Sequence, residues 1–255
     1  MTVTKWPPIF AILVIQAIVF AGLSLVLPSA NAIVGFAIPV FWQMCGQGVA
    51  SAVITKTFKF GWGWVIGQLV APPMVILALA SGLPMWIYPT ILILLVLVFW
   101  NVATNRVPLY LTNTDTSAAL LKLIPKKKTV KFVDLGSGLG GTLRYLASQS
   151  AENQFYGVES APLPFALSWC LGKFSGNHNL KFRYRDIWKE DLSEFDIVYC
   201  FLSPVPMARL FAKAQAELKP GSLFISNSFE VPDHTPNKIV TVKDGRKTEL
   251  LIWKI

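Results

Sequence analysis

The first 105 residues constrain the fold of this chain most strongly, because they carry almost no charge. The 255-residue sequence is 53% hydrophobic and 15% charged, yet residues 1–105 contain only three charged side chains, Lys5, Lys56 and Lys59. All 14 acidic residues lie in residues 106–255. Such an apolar stretch is typical of membrane-spanning helices. We therefore expect a membrane domain followed by a water-soluble domain.

Four apolar segments are each long enough to cross a hydrocarbon core of about 30 Å as a helix. The predicted spans are residues 9–27, 33–54, 62–80 and 85–102. Residues 29–32 resemble a signal-peptidase site, but the first span exceeds the roughly 7–15 apolar residues of a signal peptide, so we expect it to be retained. Amide side chains in the second span, such as Gln47, are expected to face other helices.

The basic residues around these spans predict their orientation. Lys5, the loop with Lys56 and Lys59, and the basic segment 106–131 fall on one side of a four-span arrangement. Basic residues favour the cytoplasmic side, so the water-soluble domain is expected there. We attribute much of the net charge of +9 to basic residues that lie next to the membrane surface. The sequence contains no nucleic-acid-binding motif.

The three cysteines are few and widely separated. Cys45, Cys170 and Cys200 show no metal-ligand spacing and suit a reduced compartment. We predict no metal site.

Strands alternate with helices from residue 129 to the end of the chain, which predicts a parallel sheet with helices on both faces. Asp244-Gly245 lies between the last two predicted strands and is typical of a hairpin turn. Residues 106–128 are expected to be a connecting loop and a short helix, capped by Asp115 or Thr114. The predicted domains are therefore 1–105, 106–128 and 129–255, the last an α/β, Rossmann-like domain.

A glycine-rich turn follows the first strand of this domain. Gly136, Gly138 and Gly140 let the backbone approach a ligand closely, ahead of a helix whose free amides begin near Thr142. Glycines 136, 138 and 141 also fit the dinucleotide pattern G-x-G-x-x-G, so the turn alone does not choose between ligands.

Acidic residues beside the turn narrow the choice. Asp134 suits a cofactor with a cationic amino-acid end and no pyrophosphate, and Glu159 at the end of the second strand suits ribose hydroxyls. Asp186 after the third strand could take an adenine amino group, with Ile187 over the ring. The alternatives for these two residues are a helix cap and a core contact.

These motifs resemble those of class I S-adenosylmethionine-dependent methyltransferases. The resemblance rests on Asp134 to Gly140, on Gly157 to Glu159, on Asp186 and on the terminal hairpin. Residues 107–110 and 185–196 are similar, more narrowly, to the membrane-anchored lysine methyltransferases of the ATP synthase c subunit and the adenine nucleotide translocase. Leu139 replaces an acidic residue of that family, Leu111 replaces a proline, and four spans replace one anchor.

The resemblance implies a seven-stranded domain, S-adenosylmethionine as the cofactor, and a lysine of a membrane protein, for example one like the ATP synthase c subunit, as the methyl acceptor. The cofactor-binding residues it implies are Asp134, Gly136, Ser137, Gly138, Gly140, Glu159, Asp186 and Ile187. Residues expected to line the acceptor pocket are Tyr110, Thr112, Ser203 and Pro204.

Three other functions remain open at this point. The acceptor could be a lipid or another membrane-soluble small molecule. The chain could also be a membrane protein that binds the cofactor without catalysis, or a dinucleotide-dependent oxidoreductase.

Overall fold

The computed structural model describes residues 8–98, 110–125 and 129–255. The chain forms two compact units, residues 1–89 and 90–255. Some predicted features lie outside the described residues, namely Lys5, residues 106–109 of the connecting segment, and the basic residues 126–128.

Apolar helices make up the first unit, and the last of them crosses its boundary. They are α1 (Pro8–Val34), α2 (Val40–Thr57), α3 (Trp62–Ala80) and α4 (Ile87–Val98). Helix α3 has the predicted bounds, whereas α1 runs past residue 27 and α2 starts after residue 33. The break falls at Gly35, whose φ of 73° is the left-handed conformation that ends helices. Hydrophobicity predicted the apolar parts of these helices but not this backbone signal.

Two of these helices, α1 and α3, are long and apolar enough to cross a membrane. Helix α4 has 12 residues in the described chain, and the end of the predicted span, residues 99–102, lies outside it. Most large apolar side chains of α1 and α3 face outward, including Leu13, Leu25 and Val75. Helix α4 buries no residue.

A chain of glutamine side chains joins α1, α2 and α3. Gln47 Nε2 donates to Gln16 Oε1 at 2.7 Å, and Gln16 in turn donates to Gln68 Oε1. Gln68 Nε2 donates to Thr55 Oγ1 at 3.2 Å. Amides buried among apolar helices are stabilised by such interhelical hydrogen bonds. The amide of Gln47 therefore faces other helices, as its position in an apolar segment predicts.

The second unit contains a seven-stranded sheet and its flanking helices. The helices are α5 (Thr114–Leu121), α6 (Gly141–Gln149), α7 (Pro162–Phe174) and α8 (Pro204–Glu217). The strands are β1 (Lys131–Leu135), β2 (Gln154–Glu159), β3 (Leu180–Tyr184), β4 (Ile197–Cys200), β5 (Leu223–Asn227), β6 (Lys238–Thr241) and β7 (Glu249–Lys254).

The strand order is β3-β2-β1-β4-β5-β7-β6. Strands β1 to β5 are parallel, while β7 runs antiparallel to both β5 and β6. The chain reverses direction across the sheet between β1 and β4, and ligands of open α/β sheets bind at the carboxyl ends of the strands at such a point. The predicted Rossmann-like fold with a terminal hairpin is confirmed.

Two apolar cores cover the two faces of the sheet. Helix α8 packs Met207 and Leu210 onto Val133 and Val198 on one face, and α6 packs Leu143 with Phe132 on the other. Alternate residues of β1 therefore point to opposite cores.

Candidate active site

The glycine turn leaves β1 at its carboxyl end and folds back over β2. Gly136, Gly138 and Gly140 have φ values of 79°, 53° and 68°, a region that L side chains rarely adopt. The Gly136 amide donates to the carbonyl of Val158 at 2.8 Å, and the Gly140 amide to that of Ser137 at 2.8 Å. The turn therefore requires glycine at these three positions.

Packing around the turn separates the two glycine patterns that the sequence left open. A Cβ on Gly140 would overlap the ring of Phe182, whereas a Cβ on Gly141 would have no neighbour within 4 Å. In the dinucleotide pattern the third glycine, here Gly141, allows close packing of helix on strand. That requirement is missing at Gly141, so the packing favours glycines 136, 138 and 140 as the functional set.

Asp134 is buried one residue before the end of β1. Its side chain is 4% exposed, and no hydrogen bond to its carboxyl group is found among the described residues. Burial, together with the nearby charge of Glu159, raises the pKa of Asp134 to about 8. In the protein alone, the side chain is therefore mainly a neutral carboxylic acid at pH 7.

Glu159 ends β2 and ties the glycine turn to the start of α7. Its Oε2 accepts the Gly138 amide at 2.8 Å, and its Oε1 accepts the amides of Ser160 at 2.8 Å and Ala161 at 2.7 Å. Neighbouring parallel strands thus bring two buried acids together at one edge of the sheet.

Asp186 and Ile187 follow β3. Asp186 accepts the Trp188 amide at 3.1 Å and caps a short 3₁₀ helix, Ile187–Lys189. Ile187 packs against the core on the α8 face. In this structure both side chains have the structural roles that the sequence offered as alternatives to nucleoside contacts.

The residues predicted to line the acceptor pocket lie on the other side of the switch point, near the ends of β4 and β5. Tyr110 stacks on Phe201, which follows β4, with ring centroids 4.9 Å apart, and it contacts Phe229, which follows β5, at 5.5 Å. Ser203 is buried at the position before α8, and Pro204 is the first residue of that helix. Tyr110 is therefore part of an aromatic cluster, Tyr110, Phe201 and Phe229.

Hydrogen bonds hold the loop that carries Tyr110. Thr112 Oγ1 lies 2.8 Å from Tyr199 Oη, which also accepts Asn227 Nδ2 at 2.9 Å. Asn113 Nδ2 donates to Asp244 Oδ2 at 2.6 Å. The terminal hairpin and the ends of β4 and β5 therefore hold residues 110–113 in place.

Asn113 also caps α5, accepting the Thr116 amide at 2.8 Å. The prediction that Asp115 or Thr114 is the cap was wrong, because the helix begins at Thr114 and both residues lie within its first turn. Asparagine is as good a cap as aspartate, so the local sequence alone does not decide at which residue the helix begins.

Several residues of this site were missed by sequence reasoning. Phe201 and Phe229 lie just beyond the carboxyl ends of strands, a position that could have marked them. Tyr199, Asn227 and Asp244 gave no such signal, since their partners are distant in the chain.

The unpartnered polar groups beside the glycine turn fit S-adenosylmethionine. Ser137 Oγ is buried without a hydrogen-bond partner among the described residues, and the carboxyl group of Asp134, a residue 4% exposed, accepts no hydrogen bond there. A buried polar group without a partner costs free energy unless a ligand or water satisfies it. A cofactor bearing an amine and hydroxyl groups supplies the missing partners.

Comparisons with known proteins agree with this geometry. Residues 134–238 match the family described as the ANTKMT methyltransferase domain. The adenine nucleotide translocase lysine N-methyltransferase of Mus musculus is 32% identical over 111 residues, which span 43% of this chain and 48% of that relative. The chain thus matches about half the length of this relative.

Among solved structures, an RNA methyltransferase from Salinibacter ruber in complex with S-adenosyl-L-homocysteine shares the fold. The TM-score is 0.51 at 23% identity, and the match covers 57% of this chain and 94% of that structure. Residues 134–238 therefore match a methyltransferase domain, whose cofactor is S-adenosylmethionine, and the solved structure has the same fold.

Proposed function

We propose that this chain is a membrane-bound methyltransferase that transfers methyl groups from S-adenosylmethionine to a lysine side chain of a membrane protein. The observation that carries the proposal is the division of the sheet edge at its switch point. Buried acids and a glycine turn occupy β1 and β2, and an aromatic cluster occupies the ends of β4 and β5. One side suits the methyl donor and the other an acceptor.

On the donor side, Asp134 would hold the cationic amino-acid end of the cofactor. The hydroxyl of Ser137 would complete that end, and Glu159 would bind the ribose hydroxyls. Asp186 would take the adenine amino group, with Ile187 over the ring. Glycine at positions 136, 138 and 140 keeps Cβ atoms out of this space. When bound, the cofactor supplies a methyl group carried on a sulfonium sulfur.

On the acceptor side, alignment and exclusion of water are what methyl transfer demands of the protein. The rings of Tyr110, Phe201 and Phe229 would form an apolar wall beside the acceptor, and Thr112 a polar edge. An amine must lose its proton before it accepts a methyl group, and an apolar wall lowers the pKa of a buried amine. Ser203 and Pro204 would shape the floor at the start of α8.

The choice of lysine as acceptor is supported by the mouse relative, whose name states that it acts on a lysine of the adenine nucleotide translocase. The aromatic cluster is consistent with this choice, because a lysine side chain lays its apolar stem along such a surface. An acceptor such as the ATP synthase c subunit, which is itself a membrane protein, fits the apolar first unit.

We propose four membrane spans formed by α1 to α4. Two of them, α1 and α3, are long and apolar enough to cross a membrane, and the outward-facing apolar side chains of this unit are unfavourable in water. Lys56 lies 3.8 Å from the centroid of the Trp62 ring, a pairing suited to the membrane interface. The distribution of basic residues in the sequence supports a cytoplasmic position for the methyltransferase domain.

The first prediction concerns the acceptor. With tritiated S-adenosylmethionine and membranes from cells lacking this protein, the purified full chain should label a protein, and acid hydrolysis should release methylated lysine. Asp134→Asn should abolish the label, because it removes the carboxylate that would bind the cationic end of the cofactor. Tyr110→Ala should lower the rate roughly tenfold or more through loss of the positioned wall, while Tyr110→Phe, which keeps the ring, should retain most activity.

Tritium recovered with lipid, and not among the amino acids after hydrolysis, would instead show a lipid acceptor. Binding of the cofactor without any transfer would show a non-catalytic protein. Tighter binding of a nicotinamide dinucleotide would contradict the methyltransferase itself.

The second prediction follows from the neutral carboxyl group of Asp134. Its pKa is raised from 3.8 to about 8 on folding, so the unfolded chain loses this proton first and the stability of the cofactor-free protein falls as pH rises between these values. Asp134→Asn should therefore raise the free energy of unfolding by roughly 2 kcal/mol or more at pH 8. The gain should vanish near pH 4.

Urea unfolding of the full chain in detergent measures this difference. Asp233→Asn, at an exposed turn, is the matched control for loss of a carboxylate. Equal stabilities of Asp134→Asn and the unsubstituted protein at pH 8 would mean that the buried acid costs nothing.

The third prediction tests whether the position of residues 110–113 matters for transfer. Hydrogen bonds from Thr248 and Asn113 hold the pKa of Asp244 well below its usual range, so Asn113→Asp would place a second carboxylate against an ionised one. Because Asp is also a good cap, α5 would keep its start. Transfer should fall about tenfold with unchanged affinity for the cofactor.

The double variant Asn113→Asp/Asp244→Asn restores a donor and an acceptor in reversed order, and should recover most of the rate. Steady-state transfer assays and calorimetric cofactor binding distinguish the cases. If Asn113→Asp transfers as fast as the unsubstituted chain, the hydrogen bond to the hairpin does not position the acceptor loop.

A further inference from the structure

Helix α7 presents its apolar side chains outward, the reverse of a helix on a water-soluble domain. It buries Pro164 and Ser168 against the sheet. The exposed fractions of its outer side chains are 44% for Leu167, 50% for Trp169, 45% for Leu171 and 84% for Phe174. A surface helix ordinarily turns its apolar stripe to the core and its polar face to water.

This pattern is concentrated on one helix. Of the seven large apolar side chains exposed in residues 129–255, four lie on α7; the others are Tyr184, Val205 and Ile239. Helix α8, by contrast, exposes Arg209 and Gln215. Contiguous exposed apolar surface of this kind marks an interaction site.

The charge around this face indicates what covers it. Helix α7 contains no acidic residue, and Lys173 Nζ lies 5.8 Å from the centroid of the Trp169 ring. A depression of about 450 Å³ beside the helix is lined by Trp169, Lys173, His178, Lys181 and Arg183. Arg183 pairs with Glu190 and Glu194, while the described chain shows no carboxylate partner for Lys173 or Lys181.

An apolar helix face with tryptophan and phenylalanine, bordered by unpaired lysines, has the composition of a helix that lies in a membrane interface. Lysines at such an edge reach anionic phosphate groups while their stems lie along apolar surface. We propose that the outer face of α7 docks on a bilayer surface containing anionic phospholipid. This goes beyond the proposed methyl transfer and rests on the proposed membrane anchoring of the same chain.

Cys170 lies on this face and is exposed, whereas Cys200 is buried and unreactive by position. In a Cys45→Ser background, a nitroxide on Cys170 therefore reports the surroundings of α7. The control label is placed at Gln215→Cys in a Cys45→Ser/Cys170→Ser background. Helix α8 packs on one face of the sheet, whereas Gly172 of α7 lies against Phe182 on the other.

The full chain is reconstituted into phosphatidylcholine vesicles with and without phosphatidylglycerol, and collisions of the label with oxygen and with a water-soluble nickel chelate are measured. With phosphatidylglycerol present, the Cys170 label should collide mainly with oxygen and the Gln215→Cys label mainly with nickel. Lys173→Glu/Lys181→Glu should weaken docking about fivefold for each lysine lost, and Trp169→Gln/Phe174→Gln should expose the label to nickel in both membranes.

Two results would overturn the proposal. The Cys170 label could meet nickel as freely as the control in both membranes, or it could be shielded from both reagents in vesicles and in detergent micelles alike, which would mean that protein covers α7. If the chain does not float with neutral vesicles, the proposed membrane anchoring fails. This result is distinct from the two above.

Discussion

The buried carboxyl group of Asp134 is the constraint on which the methyltransferase domain depends. A polar group that is 4% exposed and without a hydrogen-bond partner in the described chain opposes folding unless something binds it. The strand that carries it is central, with β2 on one side and β4 on the other, so the surrounding packing can hold the unfavourable group. The domain thus keeps a buried acid for which the proposed function supplies a cationic ligand.

The same strand order separates the two halves of the site. The glycine turn, Glu159 and the start of α7 lie with β1 and β2, while the aromatic cluster lies with β4 and β5. Tyr199 lies on β4, next to Asp134 in the strand register, and its hydroxyl contacts Thr112. Burial raises the pKa of Tyr199, which keeps this hydroxyl protonated. Through this pair the loop of residues 110–113 is fixed to the strand beside Asp134.

The sequence was most informative where chemistry is local. The alternation of strands and helices predicted the sheet, and glycines 136, 138 and 140 required positive φ whatever their partners. Contacts between distant segments could not be predicted, since nothing near Asn113 points to Asp244, 131 residues away. The outward apolar face of α7 was hidden too, because a 13-residue helix rich in Leu, Trp and Phe is ordinarily a core helix.

Counting the protons released when S-adenosylmethionine binds tests the central claim most directly. Calorimetric titration at pH 7 in two buffers of different ionisation enthalpy gives this number. If the cofactor's cationic end ionises a carboxyl group whose pKa is about 8, about one proton leaves for each cofactor bound. If the cofactor binds the unsubstituted protein without releasing a proton, the role assigned to Asp134 is contradicted.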